Sequence, residues 1–171
     1  MSFDFGANES ISKQIPVPFD VLGQSEDYKE SWITDSKVTF SVMSFGQQWV
    51  SDDFLVMLMT PESSDIDAIS RQVYEQALSQ AQSLGFNAMI RTWNFFPRIN
   101  DEEKRLERYR HFCVARQEVL NEFPEYQNQN PAATAIGTQR EENNFVFLFA
   151  KTQGQGLENK RQIKNAKLFS I

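Results

Sequence analysis

Cysteine and histidine are almost absent from this chain of 171 residues, which contains one of each, Cys113 and His111. A single cysteine excludes an intramolecular disulfide and suits a reducing compartment, and a buried, inert thiol is its favoured role. A lone histidine without a cysteine pair excludes the usual zinc sites, and the sequence offers no convincing Ser-His-Asp set. We therefore expect no metal site and no cofactor.

Basic charge and long apolar runs are also scarce. Lysine and arginine number 17 against 23 aspartates and glutamates, which gives a net charge of -6. Binding to nucleic acid or to anionic membranes requires a basic surface, so the charge balance argues against both partners. Residues 1–20 lack the apolar core of a signal peptide, and no stretch reaches the ~18 apolar residues of a membrane span. Hence we expect a cytoplasmic protein.

The residues that are present suffice for one domain over residues 1–171. Hydrophobic residues make up 40% of the chain, and 15 phenylalanines can fill a core without a metal or a disulfide. Pro16 and Pro18 alternate with apolar residues in an extended stretch that cannot be an inner strand. We expect residues 1–30 to form an extended segment that packs on this domain.

Alternation and apolar runs predict five strands, and helical periodicity predicts two helices. The strands are expected at 37–45, 54–59, 86–96, 132–138 and 145–150, with helices from about Ser64 to Gly85 and from Asn100 to Phe123. Ser64 and Asn100 are the expected N-caps of the helices. Trp49 is expected in a turn region, residues 140–144 in a hairpin turn, and residues 161–169 in a last edge strand.

The order β-β-α-β-α-β-β predicts an α+β fold in which two helices pack on one face of a mixed sheet. Several strands are apolar on both faces, so the other face of the sheet must also be covered. Another copy of the same chain is the simplest cover, and we therefore expect a ring of identical subunits.

Arginines on the second helix are the main sign of a binding site. Arg105, Tyr109, Phe112 and Arg116 are spaced four, three and four residues apart and would share one helical face, with Arg108 beside them. An arginine among aromatic side chains is costly to bury unless it pairs with a carboxylate. That carboxylate belongs either to a ligand, which arginine binds in a planar, bidentate manner, or to the protein itself.

For each arginine the alternative is a structural ion pair with Glu103, Glu107 or an acid of a neighbouring subunit. Trp93 is either part of the core or the cover of an aromatic ligand at a subunit edge. Near the end of the sequence, Glu158 is a weak candidate for a general acid or base, and Arg161 is a candidate for a carboxylate clamp. A solvated loop is the alternative for both of these residues.

Four blocks of the sequence resemble the chorismatase family, which includes chorismate hydrolases and 3-hydroxybenzoate synthases. The blocks are Trp93 to Asn100, Leu106 to Arg116, Pro131 to Thr138 and Glu158 to Gln162. They occur in the family's order and at suitable spacing. The resemblance implies a fold of the YjgF/RidA type, also described as chorismate mutase-like, whose single-domain members form trimers with ligand clefts between subunits.

The sequence departs from this family at positions that matter for catalysis. The resemblance covers the N-terminal half of a chorismatase, and the family's catalytic glutamate lies in the other half, so we expect no counterpart before Ile171. Lys160 stands where the family commonly has proline. Ala133 stands where the related imine deaminases have the arginine that holds the substrate carboxylate, which argues against imine hydrolysis of the usual kind.

Together these observations predict a homotrimer that binds a small aromatic carboxylate, such as chorismate or a hydroxybenzoate, in clefts between subunits. Arg116 and Arg108 would clamp the carboxylate, Tyr109 would form a hydrogen bond with it, and Trp93 would wall the pocket. One alternative is an enzyme that hydrolyses chorismate or an imine, with Glu158 as the acid or base. Another is a subunit that pairs with a separate chain resembling the other half of a chorismatase.

Overall fold

The computed structural model describes residues 36–127, 129 and 131–153, together with the backbone of three strands nearer the N-terminus. These strands are β1 (Ser2–Ala7), β2 (Ile11–Pro16) and β3 (Lys29–Ile33), and they form a small sheet in the order β2-β1-β3. β2 pairs antiparallel and β3 parallel with β1. Pro16 therefore ends an edge strand, where a missing N–H breaks no ladder.

A six-stranded mixed sheet forms the centre of the described fold. In chain order the strands after β3 are β4 (Thr39–Met43), β5 (Gly46–Val50), β6 (Phe54–Met59), β7 (Ala88–Pro97), β8 (Glu102–Glu103), β9 (Leu106–Glu107), β10 (Ala132–Thr138) and β11 (Asn144–Ala150). The large sheet has the order β10-β7-β11-β6-β5-β4, and β8 and β9 form a separate hairpin. β10 runs parallel to β7, whereas all other neighbours in the large sheet are antiparallel.

The helices are α1 (Ile66–Ser83), α2 (Arg108–Glu122) and the short α3 (Pro124–Gln127). Side chains of α1 and α2 share one buried cluster with Leu55 of β6 and Phe145 of β11, so both helices pack on the same face of the sheet. This confirms the α+β class with one mixed sheet. Among the described residues, no helix has the length and apolar character needed to cross a membrane.

Trp49 lies in a strand rather than in the predicted turn. Gln48 and Trp49 point to opposite faces of β5, and Gln48 is satisfied on the helix side by hydrogen bonds with Ser41 at 2.9 Å and Gln80 at 3.2 Å. The strand begins at Gly46, where a Cβ atom would lie 2.0 Å from the carbonyl oxygen of Leu58. The sequence pattern missed this strand because it contains two consecutive glutamines. The hydrogen-bonding partners of Gln48 come from other elements, β4 and α1.

The predicted start of the second helix at Asn100 is wrong, because α2 begins at Arg108. The intervening residues turn through the β8–β9 hairpin, in which Lys104 and Arg105 have φ values of 51° and 69°. The backbone N–H of Arg108 donates to the carbonyl of Asp101 at 2.8 Å, which replaces the expected cap. The capping pattern failed here because Glu103 is used in a tertiary ion pair instead.

Two further local predictions need correction. The N-cap of α1 is Asp65 rather than Ser64, and its carboxylate accepts from the N–H groups of Asp67 and Ala68 at 3.1 and 3.3 Å. Residues 140–144 do not connect paired strands, because β10 and β11 lie on opposite sides of β7. The predicted edge strand at 161–169 lies outside the described residues.

The face of the sheet without helices is apolar as well. Its buried cluster comprises Trp49, Val56, Trp93, Phe95, Val146 and Leu148, and these side chains are already buried within a single chain. Exposed apolar side chains remain on this face at both edges of the sheet. Val42 of β4 is 74% exposed, and Ile136 of β10, the register partner of Phe95, is 49% exposed.

Candidate functional site

The first turn of α2 places Arg108 in the interior, with a side chain that is 1% exposed. Its Nε donates to the carbonyl of Pro97 at 3.3 Å, its Nη1 donates to the carbonyl of Ser64 at 3.2 Å, and it forms an ion pair with Glu103. We call these four residues the Arg108 junction. Arg108 therefore makes the ion pair with Glu103 that was the structural alternative, and its side chain is enclosed by the protein.

Arg105 does not share a helical face with Tyr109 and Arg116, because it lies in the β8–β9 turn before α2 begins. It lines an open cavity of about 350 Å³ together with Glu107 and Arg110. Arg110 is 70% exposed and forms an ion pair with Glu107 at 3.8 Å. Acidic and basic groups are thus mixed at this cavity, so it has no clear preference for an anion.

Arg116, in the middle of α2, has surroundings of a different kind. Its Cζ lies 5.8 Å from the centroid of the Tyr74 ring, within the range of a cation–π interaction. Its Nε is buried and has no hydrogen-bond acceptor among the described residues. None of the ion pairs found in that part of the chain involves Arg116. The guanidinium charge is therefore half-buried, and no carboxylate of the described residues neutralises it.

Two further side chains of α2 lie beside Arg116. Tyr109 is 42% exposed, and its contact with the thiol of Cys113 raises the pKa of its phenol. The phenol thus stays protonated at neutral pH and can donate a hydrogen bond to an anion. Cys113 is half-buried at the margin of the core, less enclosed than the buried thiol expected from the sequence.

A buried polar pair lies beneath Arg116. Tyr74 of α1 is fully buried, and its hydroxyl donates to Oδ1 of Asn94 on β7 at 3.0 Å. Burial raises the pKa of Tyr74, so the hydroxyl remains a donor. We refer to Arg116, Tyr109, Cys113, Tyr74 and Asn94 as the Arg116 cluster. It combines the positive charge of Arg116, the phenol donor of Tyr109 and aromatic rings.

The neighbouring edge strand leaves room beside this cluster. On the helix side of the sheet, the register partners of Thr92 and Asn94 are Ala133 and Ala135 of β10. Both side chains end at Cβ, and Ala133 is exposed. The absence of an arginine at 133 therefore leaves Arg116 as the guanidinium next to this part of the sheet within the described residues.

The other predicted site residues are not brought together with Arg116. Trp93 is 3% exposed and points to the opposite face of the sheet from its neighbour Asn94, with the guanidinium of Arg91 at 4.7 Å from its ring centroid. Within one chain Trp93 therefore cannot wall a pocket at Arg116. Glu158 and Arg161 lie outside the described residues.

A larger open cavity, of about 620 Å³, lies between the β4–β5 turn and the segment that precedes α1. Its polar lining residues are Ser44, Gln47, Thr60, Ser63 and Gln72, and Glu62 is the charged residue among its lining residues. A carboxylate at neutral pH would repel an anionic ligand. The Arg116 cluster is thus the better candidate for binding an acid.

Tyr74 and Asn94 were missed as site residues from sequence alone. Tyr74 falls within the buried periodicity of α1, where it resembles an ordinary core aromatic. Asn94 did carry a signal, since an amide inside a strand of buried aromatic residues requires hydrogen-bonding partners. Those partners belong to α1 and β10, which a local pattern cannot identify.

Comparisons with known proteins identify relatives of this chain. A 3-hydroxybenzoate synthase of Streptomyces hygroscopicus is 28% identical over 147 residues, which cover 84% of this chain and 43% of the relative. A chorismatase of the same organism is 33% identical over 129 residues, which cover 74% of this chain and 37% of the relative. This chain thus spans less than half the length of these relatives.

A solved structure shows the same fold. The crystal structure of a chorismatase matches with a TM-score of 0.61 at 23% identity, over 88% of this chain and 48% of that chain. The family model for the N-terminal part of FkbO/Hyg5-like chorismatases matches residues 30–149, which include the whole large sheet up to Phe149 and both long helices. The chain therefore belongs to the chorismatase FkbO/Hyg5-like N-terminal domain family.

Proposed function

We propose that this chain binds a small aromatic carboxylate at the Arg116 cluster. The proposal is carried by the Arg116 guanidinium, which is half-buried and has no carboxylate partner among the described residues. A partly buried charge without a partner is unfavourable, and a carboxylate ligand would neutralise it through charge-assisted hydrogen bonds. Tyr109 is placed to donate a further hydrogen bond and to contact an aromatic ring.

Chorismate and hydroxybenzoates are the ligands to test first. The relatives are named chorismatase and 3-hydroxybenzoate synthase, so both names refer to chemistry of cyclic carboxylic acids. A planar carboxylate on a six-membered ring fits the pairing geometry of arginine and can stack on a phenol ring. Arg108 and Trp93 are not part of this proposed site, because the first is ion-paired and the second lies on the other face of the sheet.

Isothermal titration calorimetry with chorismate, 3-hydroxybenzoate and 4-hydroxybenzoate tests this proposal. The wild type is expected to bind at least one of them, and Arg116→Ala is expected to raise its dissociation constant at least about tenfold. Arg110→Ala is the matched control, because Arg110 lies on the same helix but is 70% exposed and paired with Glu107. If the wild type binds none of the three acids at millimolar concentration, the proposal fails.

Hydrolysis of chorismate is a second candidate function, favoured by the family to which the chain belongs. Incubation of the chain with chorismate should then release pyruvate, which a coupled dehydrogenase assay detects. The same assay with Arg116→Ala should show a reduced rate if the cluster binds the substrate. An unchanged chorismate pool rules out this activity for the chain alone.

We further propose that the chain assembles, either as a homotrimer with the ligand cleft between subunits or with a separate chorismatase-like chain. Exposed apolar side chains at opposite edges of one sheet face, Val42 and Ile136, suit a head-to-tail contact. Head-to-tail contacts between identical chains form a ring when the rotation between subunits closes. Size-exclusion chromatography with light scattering measures the mass in solution, and a monomer at micromolar concentration argues for the separate partner.

A further inference from the structure

We infer that Tyr74 and Asn94 are positioning residues, which fix the orientation of the Arg116 guanidinium from beneath. This inference rests on the proposed function, because it concerns how the same arginine is held for a ligand. It adds α1 and β7 to a site otherwise built on α2. Neither residue needs to touch the ligand for this role.

The chain of hydrogen bonds begins at the backbone of the edge strand. Nδ2 of Asn94 donates to the carbonyl of Thr134 on β10 at 2.9 Å. This bond determines which way the amide faces, so its oxygen Oδ1 is turned toward Tyr74. The Tyr74 hydroxyl then donates to Oδ1 at 3.0 Å. The bond to Thr134 therefore sets the orientation of the Asn94 amide, and the amide in turn sets the direction of the Tyr74 hydroxyl proton.

The Tyr74 hydroxyl can interact with Arg116 only as an acceptor. A tyrosine hydroxyl has one proton, and here that proton is committed to Asn94. Its oxygen lone pairs remain for a donor, and the Arg116 guanidinium, which lies 5.8 Å from the centre of the same ring, carries donors in a rigid plane. The ring of Tyr74 thus supports the guanidinium, and its hydroxyl oxygen remains available as an acceptor for it.

Packing makes this platform rigid. Tyr74 is fully buried, with the ring of Phe147 at 5.0 Å and that of Phe112 at 6.1 Å between centroids. Asn94 is 1% exposed. A fixed guanidinium loses less conformational entropy on binding than a freely rotating one, so preorganisation improves affinity without a new ligand contact.

A ligand-free experiment tests the orientation directly. In protein labelled with ¹⁵N-arginine, the Nε–H signal of Arg116, assigned with Arg116→Lys, should exchange slowly with solvent. Tyr74→Phe keeps the ring but removes the hydroxyl, and the exchange should become about tenfold faster as the side chain loosens. Unchanged exchange in Tyr74→Phe overturns the inference, whether or not any acid binds.

Tyr126→Phe provides a matched control, because Tyr126 is also fully buried and donates one hydrogen bond, to the carbonyl of Phe86 at 2.8 Å. It should lose stability as Tyr74→Phe does and leave the Arg116 signal unchanged. If both variants speed up the exchange of the Arg116 Nε–H equally, the cause is a loss of stability of the whole domain, and the inference is overturned.

Ligand binding gives the second measurement. If 3-hydroxybenzoate binds to the wild type, Tyr74→Phe should weaken it about fivefold, and the neutral 3-hydroxybenzamide should be unaffected. In the Arg116→Ala background, Tyr74→Phe should cause no further loss. Binding that depends on Arg116 but not on Tyr74 contradicts this inference alone, whereas no binding to wild type contradicts the proposed function.

Discussion

Arg108 and Arg116 lie on the same helix but have opposite relations to the rest of the chain. At the Arg108 junction, two carbonyls and the carboxylate of Glu103 surround a guanidinium that is 1% exposed. At the Arg116 cluster, a half-buried guanidinium meets an aromatic ring, a hydroxyl and no carboxylate among the described residues. Glu103 neutralises the charge of the first arginine, although its Nη2 has no acceptor among the described residues, whereas the second arginine has no carboxylate partner there.

Burial and hydrogen-bonding partners must be considered together to separate an arginine that stabilises the fold from one that could bind a ligand. Burial alone would select Arg108, and exposure alone would select Arg110, yet neither has the features of a binding group. Arg116 differs from both, because its side chain is half-buried and its Nε has no acceptor among the described residues. Its guanidinium also lies against the buried ring of Tyr74. A fold pays for such a residue in stability, which is the usual signature of a functional site.

The largest expected effect is on the junction. Arg108→Ala should lower the free energy of unfolding by about 3 kcal/mol, because it removes two hydrogen bonds and the partner of Glu103. Urea denaturation monitored by tryptophan fluorescence measures this loss. Arg110→Ala should stay within about 0.5 kcal/mol of wild type. Similar stabilities of Arg108→Ala and Arg110→Ala would show that the contacts of Arg108 do not stabilise the fold.

Replacing Arg116 should not lower the free energy of unfolding. Arg116→Met keeps an unbranched side chain of similar reach and removes a buried donor that lacks an acceptor. The free energy of unfolding should stay unchanged or rise by up to about 1 kcal/mol, while carboxylate binding is lost. The same denaturation series, together with calorimetry, checks both parts. A loss as large as that of Arg108→Ala would show that Arg116 is structural.

The smallest effect concerns Asp65, whose carboxylate joins the start of α1 to Lys104 of the hairpin at 3.3 Å. The N–H of Ala68, followed by the Lys104 contacts among the stabilising causes, holds the pKa of Asp65 below its ordinary value. Asp65→Asn retains a capping side chain but removes the charge, so the expected loss is about 0.5 kcal/mol at pH 7.

The contribution of the Asp65 carboxylate to stability depends on pH. Because its pKa is lower in the folded than in the unfolded state, its contribution is present above the ordinary pKa near 4 and is lost as the pH falls below it. The stability difference between wild type and Asp65→Asn should therefore shrink between about pH 5 and pH 3. A difference that grows toward acid pH would contradict the assignment.

Sequence patterns predicted the strongly periodic elements and missed those that depend on distant partners. The apolar runs at Phe54–Met59 and Asn144–Ala150 and the amphipathic helix Ile66–Ser83 follow from local burial, and all three are confirmed. The strand at Gly46–Val50 and the β8–β9 hairpin were missed. Gln48 of the strand bonds with Gln80, 32 positions away, and Lys104 of the hairpin bonds with Asp65, 39 positions away, so no local window contains these partners.

Sequence patterns alone were enough for the class of fold and the family, and they indicated α2 as the helix of the candidate site. These depend on periodicity and on blocks of residues in order, which are properties of the chain. The tertiary structure was needed to show which of the two arginines is ion-paired within the protein. Arg108 and Arg116 look alike in sequence, and they differ because Glu103 folds back on one of them while Tyr74 and Asn94 meet the other.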